Sequence, residues 1–225
     1  MKLISKTLAA ASLATVAMAA APAAAQVSGN MGVVSAPAAI AATTARATAY
    51  QQISTTYASQ IQQIQQKQQQ AQALLVQLDT NSDGQLDQAE QQAAQNAPQA
   101  QQIQTLERET AQLSNQVDLA RIYAVEQILM QYGAALETVV QQDNLQIVLS
   151  PDAVQYSVPA ANVTQKVVNA LNARVPSVQI TPPQDWQPSQ QTVNAYQQIQ
   201  QILMVAAARQ QQAAQQQQQP ASNGR

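Results

Sequence analysis

From Ala41 to Leu78 the chain runs without one glycine or proline, and Tyr50, Tyr57, Ile64, Ala71 and Leu78 recur every seven residues along it. Ile53 and Leu74 lie on the adjoining row. Nothing in the stretch breaks a helix, and a narrow apolar seam at this spacing marks a coiled-coil-like face. One helix of about 38 residues, roughly 57 Å long, is therefore expected over 41–78. A short helical run from Gln88 to Asn96 meets Pro98, which stops or kinks it. A second long helix is expected over 99–142, with a seam of Ile103, Leu106, Thr110, Leu113, Val117, Ala120 and Ala124. Further along, the stripe widens through Val125, Ile128, Leu129, Tyr132, Leu136 and Val139. A narrow seam faces one partner, whereas a wide stripe needs several. The two helices thus read as an antiparallel hairpin, thin at its loop end and rooted in a packed body.

The hairpin reverses through DTNSDGQLDQAE, residues 79–90, which concentrates four carboxylates in a chain otherwise poor in charge. The spacing fits the calcium loop of an EF-hand. Asp79, Asn81 and Asp83 supply side-chain oxygens, Gln85 a backbone carbonyl, Asp87 an oxygen directly or through water, and Glu90 a bidentate carboxylate. Gly84 permits the sharp turn between the two halves. The alternative is a solvated turn of Asx residues. No second loop is present to pair with Leu86, so the expected calcium affinity is weak, on the order of 10⁻⁴ to 10⁻³ M.

Composition removes whole classes of function. There is no Cys, His or Phe, and there is one Trp. Disulfides, thiol catalysis, imidazole chemistry and ordinary zinc sites go together. No nucleophile–base pair or phosphate loop is legible, and a lone Lys67 or Lys166 reads as a solvated charge, so no enzyme is expected. Setting aside Lys2 and Lys6 leaves eight basic residues against twelve acidic ones, a net charge of about −4. Nucleic acid needs a basic face, so it is not an expected partner.

Residues 1–25, MKLISKTLAAASLATVAMAAAPAAA, read as a cleaved secretory signal, with a basic start, an alanine-rich apolar core and a small-residue cleavage site. A soluble periplasmic protein without stable membrane insertion is expected. Short strands are expected over 31–34, 145–149 and 154–158, the last two joined by a turn at Ser150–Ala153. Asn162 and Gln165 suggest a capping box for a helix to about Arg174. Residues 176–225 then give a linker marked by Pro176, Pro182, Pro183 and Pro188, an amphipathic helix over 189–215 and a disordered glutamine-rich tail. Trp186 in the linker is expected to anchor this extension on the body.

The stretch NLQIVLSPDAVQYSVPAANVTQKVVNAL (Asn144–Leu171), with GNMGVVSAPAAI near the N-terminus, resembles the Skp/OmpH family of periplasmic chaperones. The likeness covers about residues 27–175, and the domain is placed at 26–175. It implies an α+β, predominantly α fold. The long helical hairpin becomes a tentacle rooted in a small β-body that forms on oligomerisation, in the family a homotrimer. It implies an ATP-independent holdase for unfolded outer-membrane proteins. The alternative is a structural or adhesive coiled-coil protein of the envelope that calcium stiffens. Tyr50, Tyr57, Ile61 and Ile64 would either face clients or simply hold the hairpin together. Relatives carry lysine-rich tentacles; here those faces are glutamine.

Overall fold

The computed structural model describes residues 29–218. The chain runs through β1 (Asn30–Val33), α1 (Ala36–Ala41), α2 (Thr44–Thr56), α3 (Ala58–Leu78), α4 (Gln88–Ala94) and α5 (Pro98–Asp143). It continues through β2 (Leu145–Leu149), single 3-10 turns at Pro151–Ala153 and Pro159–Ala161, α6 (Thr164–Arg174) and α7 (Gln190–Gln218). The fold is the expected one: mostly helical, with a small sheet. The expected leader, 1–25, lies outside the described residues, as does 219–225 of the expected tail. The part of that tail within reach, up to Gln218, continues α7 rather than losing structure.

The second hairpin helix is continuous, as its sequence implies. Pro98 stands in its first turn, where the missing N–H costs nothing. The helix ends at Asn144, which takes the left-handed conformation (φ 50°).

The first helix is not continuous. Thr43 divides α1 from α2: its hydroxyl donates to the Ile40 carbonyl at 2.8 Å and accepts from the Arg46 N–H at 3.3 Å. It closes one helix and opens the next. Tyr57 leaves helical geometry between α2 and α3 (φ −100°, ψ 20°). Just before it, Ser54 and Thr55 bond back to the carbonyls of Tyr50 and Gln51. Such back-bonding bends helices without glycine or proline.

β1 and β2 pair in parallel, Met31 beside Ile147, Gly32 beside Val148 and Val33 beside Leu149. The whole hairpin is the crossover between them. A Cβ at Gly32 would meet Leu145 Cδ1 at 2.9 Å and Val163 Cγ2 at 3.2 Å, so those side chains would have to shift to admit one. The expected strand over 154–158 does not form. The segment lies between two proline-led 3-10 turns, no strand pairs with it among the described residues, and Tyr156 is 84% exposed. On the β1 side, Val33 bridges to Asn162 instead.

The α6 cap also differs from expectation. Asn162 Oδ1 accepts from the Thr164 N–H at 3.0 Å, while Gln165 turns to Asn169 instead of closing a box. α6 then lays Val167, Val168 and Leu171 on α5.

The core sits at this root. Ile40, Val125, Ile128, Val139, Val167, Leu171 and Ile199 are fully or almost fully buried. Without phenylalanine, the remaining volume is closed by bringing backbones together over Ala39, Ala45 and Ala135.

Candidate functional site

Three features project from the root or clasp it: the hairpin arm, the loop at its tip and the C-terminal helix.

The arm is α3 against α5. No residue of α3 is fully buried. Its half-buried positions include Ile61, Ile64, Lys67, Ala71, Leu74 and Leu78, which with Tyr57 just before it keep the seven-residue register read from the sequence. On α5 the facing row is Ile103, Leu106, Val117, Ala120 and Ala124, all buried, with Thr110 and Leu113 partly so. Tyr50, Tyr57, Ile61 and Ile64 pack around Ile53, Val117 and Ala120. They hold the hairpin together. The apolar side chains the arm leaves exposed are others, Leu75 and Val76, the latter 67% exposed. Leu75 and Ala71 line a shallow groove with Thr110 and Ala111 from α5. Glutamines cover most of the remaining arm surface. Each amide both donates and accepts, so it can bond an extended backbone of any sequence without charge. The ion pair of Lys67 with Glu109 joins the arms.

The tip loop is wound around its own side chains. Asp79 accepts from the N–H groups of Asp83 (3.2 Å) and Gly84 (2.8 Å). Asn81 accepts from the Asp83 N–H and donates to the Asp83 and Asp87 carboxylates. Asp83 accepts from the Gln85 N–H at 2.8 Å. Gly84 takes φ 82° with open space around its α-carbon. Asp87 and Glu90 form a capping box at the start of α4. The other Glu90 oxygen accepts from the Thr80 N–H and hydroxyl and from the Asn81 N–H. The Thr80 hydroxyl, then the backbone donors, hold the Glu90 carboxyl below the usual carboxylate range. A lowered value stabilises the loop above the ordinary range for glutamate, and that support is lost as pH falls through the lowered value.

Thus Asn81, Asp83 and Asp87 stand together, Asp79 faces backbone, and Glu90 closes the ring from the far side. Among the described residues no three acidic side chains gather closely enough to hold a metal ion between them. Gly84 and the Asx turns bend the loop back on itself. Glu90 would have to turn from the Thr80 and Asn81 amides to become a ligand.

The third feature is α7, which packs on α1 and α5. The linker reaches it through Trp186, whose ring meets Tyr123 edge to face (centroids 5.0 Å apart) and whose Nε1 donates to Glu126. Gln127 and Gln179 exchange two hydrogen bonds of 2.9 Å. Tyr196 donates to Asp118 at 2.9 Å, and Gln200 reaches the Tyr50 hydroxyl. Arg46 and Arg121 flank the Tyr50 ring at 5.0 and 5.9 Å. Burial pushes the Tyr50 hydroxyl up to about 12 against the opposing pull of those cations. Burial, followed by the Asp118 carboxylate, also raises Tyr196, so both phenols stay neutral. Trp186 is the anchor its isolation in the linker suggested. The partners Glu126 and Asp118 had no signal in the sequence, being ordinary charges on a helix.

Among the described residues, no helix is long and apolar enough to cross a membrane. A family profile described as "Outer membrane protein (OmpH-like)" matches residues 30–171, more than half of the chain. The match runs from β1 into α6 and leaves the linker and α7 outside. No curated protein matches the chain. A solved structure of an OmpH-like candidate outer membrane chaperone from Caulobacter crescentus is 20% identical, with a TM-score of 0.42. That similarity covers 71% of this chain and 94% of the other.

Proposed function

The chain belongs to the OmpH-like family of outer membrane proteins, and from that premise we propose that it is an ATP-independent holdase of the periplasm. Its clients are unfolded outer-membrane proteins. The observation that carries this reading is the family match across the entire hairpin. The arm suits the task, since its uncharged amide faces and exposed Leu75 and Val76 can engage many sequences weakly. Clients are met through hydrogen bonds and apolar contact more than through charge. No catalytic step is involved.

Self-association belongs to the same reading. A two-stranded sheet is too small to hold a core of its own. Met31, Tyr156 and Val158 stand exposed on or beside it, at 50%, 84% and 52%. We place these surfaces at contacts between copies, in a homotrimer whose arms enclose the client. The test dilutes a urea-unfolded outer-membrane β-barrel into buffer with purified mature protein and no nucleotide, alongside the protein's mass in solution. Scattering should stay low at stoichiometric trimer. Scattering that climbs as fast with the protein as without it refutes the holdase, and a folded monomer refutes the assembly.

The loop over 79–90 is proposed as a calcium site that stiffens the hairpin's reversal, with Asp79, Asn81, Asp83, Gln85, Asp87 and Glu90 as ligands. Four carboxylates in twelve residues support it, together with a bend already shaped by Gly84. Calorimetry should find one weak site per chain. An ion bound only by the folded state stabilises by RT ln(1 + [L]/Kd), about 1.4 to 2.7 kcal/mol at about 10 mM calcium for the affinities of isolated extracellular sites. Glu90→Gln should erase this gain, and magnesium should give little of it. Equal melting temperatures with and without calcium would reduce the loop to a solvated turn. Calcium stabilisation without any effect on barrel scattering would instead favour a stiffened structural rod of the envelope.

A further inference from the structure

The segment beyond the family match enters the core by a narrow contact. In α7 one large apolar side chain, Ile199, is fully buried, and Thr192 is buried beside it. Tyr196, Ile202 and Leu203 pack only partly against the core. Polar contacts add to these: Tyr196 to Asp118, Thr192 and Trp186 to Glu126, and Gln200 to Tyr50. From Met204 to Gln215 every residue is exposed, so this half of the helix adds nothing to docking. The linker before α7 contains no helix or strand and carries Pro176, Pro182, Pro183 and Pro188.

A helix held by one fully buried side chain, three partly packed ones and a few part-buried hydrogen bonds opens at lower free energy than the core beneath it. Alongside α7 lies an open groove whose walls include Pro37, Tyr132, Leu136 and Val148, with Gln198 and Ile202 of α7 as its other side. An incoming chain can therefore start beside the helix before displacing it.

We propose that α7 is a displaceable plug. It occupies the apolar side of the root and yields to an apolar segment of an unfolded polypeptide, so that client capture and plug release compete for one surface. The inference rests on the holdase reading. The occupant itself defines what the surface takes: an amphipathic segment presenting an aliphatic and an aromatic side chain with hydroxyls for Glu126 and Asp118.

The chain has no cysteine, which permits a direct test. Asp118 and Tyr196 are replaced together by Cys, and the protein is assayed with these sites free or joined by a short bismaleimide. Unlinked, the variant lacks a hydrogen bond to a carboxylate and the packed Tyr196 ring and should open at least about tenfold more often, suppressing barrel scattering at a correspondingly lower concentration. Linked, it should need several-fold more protein than the parent. Tyr196→Phe keeps the ring and loses only the hydrogen bond, so it should shift suppression in the same direction by a smaller factor. In the parent, adding an unfolded barrel should speed hydrogen exchange at residues 192–203. Equal suppression by linked and unlinked protein, with exchange unmoved by the barrel, overturns the plug and leaves the holdase standing. A parent that never suppresses scattering removes the holdase and the plug together.

Discussion

Ile128→Asp should unfold the helical root. Ile128 is fully buried in the second half of α5, in the cluster that also holds Val125, Val167 and Leu171. Removing so large a buried side chain costs about 2–5 kcal/mol by itself. The new carboxylate would lie among aliphatic groups with no cation in the cluster to meet it. Burying an unpaired charge adds several kcal/mol even after relaxation and a shift of its pKa. Together these are comparable to the total stability of an ordinary domain, about 5–15 kcal/mol. The purified variant should show no cooperative melting transition in circular dichroism. A sharp transition near that of the parent would mean that the core does not sit at this point on α5.

Ala124→Leu should cost about 1–3 kcal/mol, and more if the backbones cannot separate. Ala120 and Ala124 are completely buried on α5, and Ala45 and Ala49 nearly so on the adjoining α2. These alanines let two backbones approach closely, which is how a chain without phenylalanine closes its root. A leucine there must push the helices apart and loosen Ile53 and Val117. Ala111 lies on the exposed flank of the same helix. Ala111→Leu should stay within about 0.5 kcal/mol of the parent, as surface changes do. Urea midpoints at constant slope would measure both. Equal shifts would deny that close approach, rather than apolar content, holds this region.

The same contrast separates what could be read along the chain from what could not. α5 spans Pro98–Asp143 where the apolar stripe predicted 99–142, and β2 spans the expected Leu145–Leu149. Both follow from periodicity and from Pro98 and Asn144, which lie within the element or next to it. The arm seam was legible too, because Tyr57, Ile64, Ala71 and Leu78 need only one neighbour in register. The loop's reversal was fixed by Gly84 and by the spacing of its oxygens.

Other features depended on what stands across from a residue. Ser54 and Thr55 end α2 through carbonyls one turn back, a choice the bare pattern of apolar positions does not record. Val154 and Val158 have the pattern of a strand, but the segment lies between two proline-led turns and pairs with neither strand. Glu90 meets the Thr80 and Asn81 amides because the loop folds back on itself. α7 docks through Ile199, one point in a helix whose second half is exposed. A repeating pattern specifies an element because each turn or residue pair restates the same preference along the chain. Where two elements meet, a single contact decides, and its free energy exists only once the chain has brought both sides together.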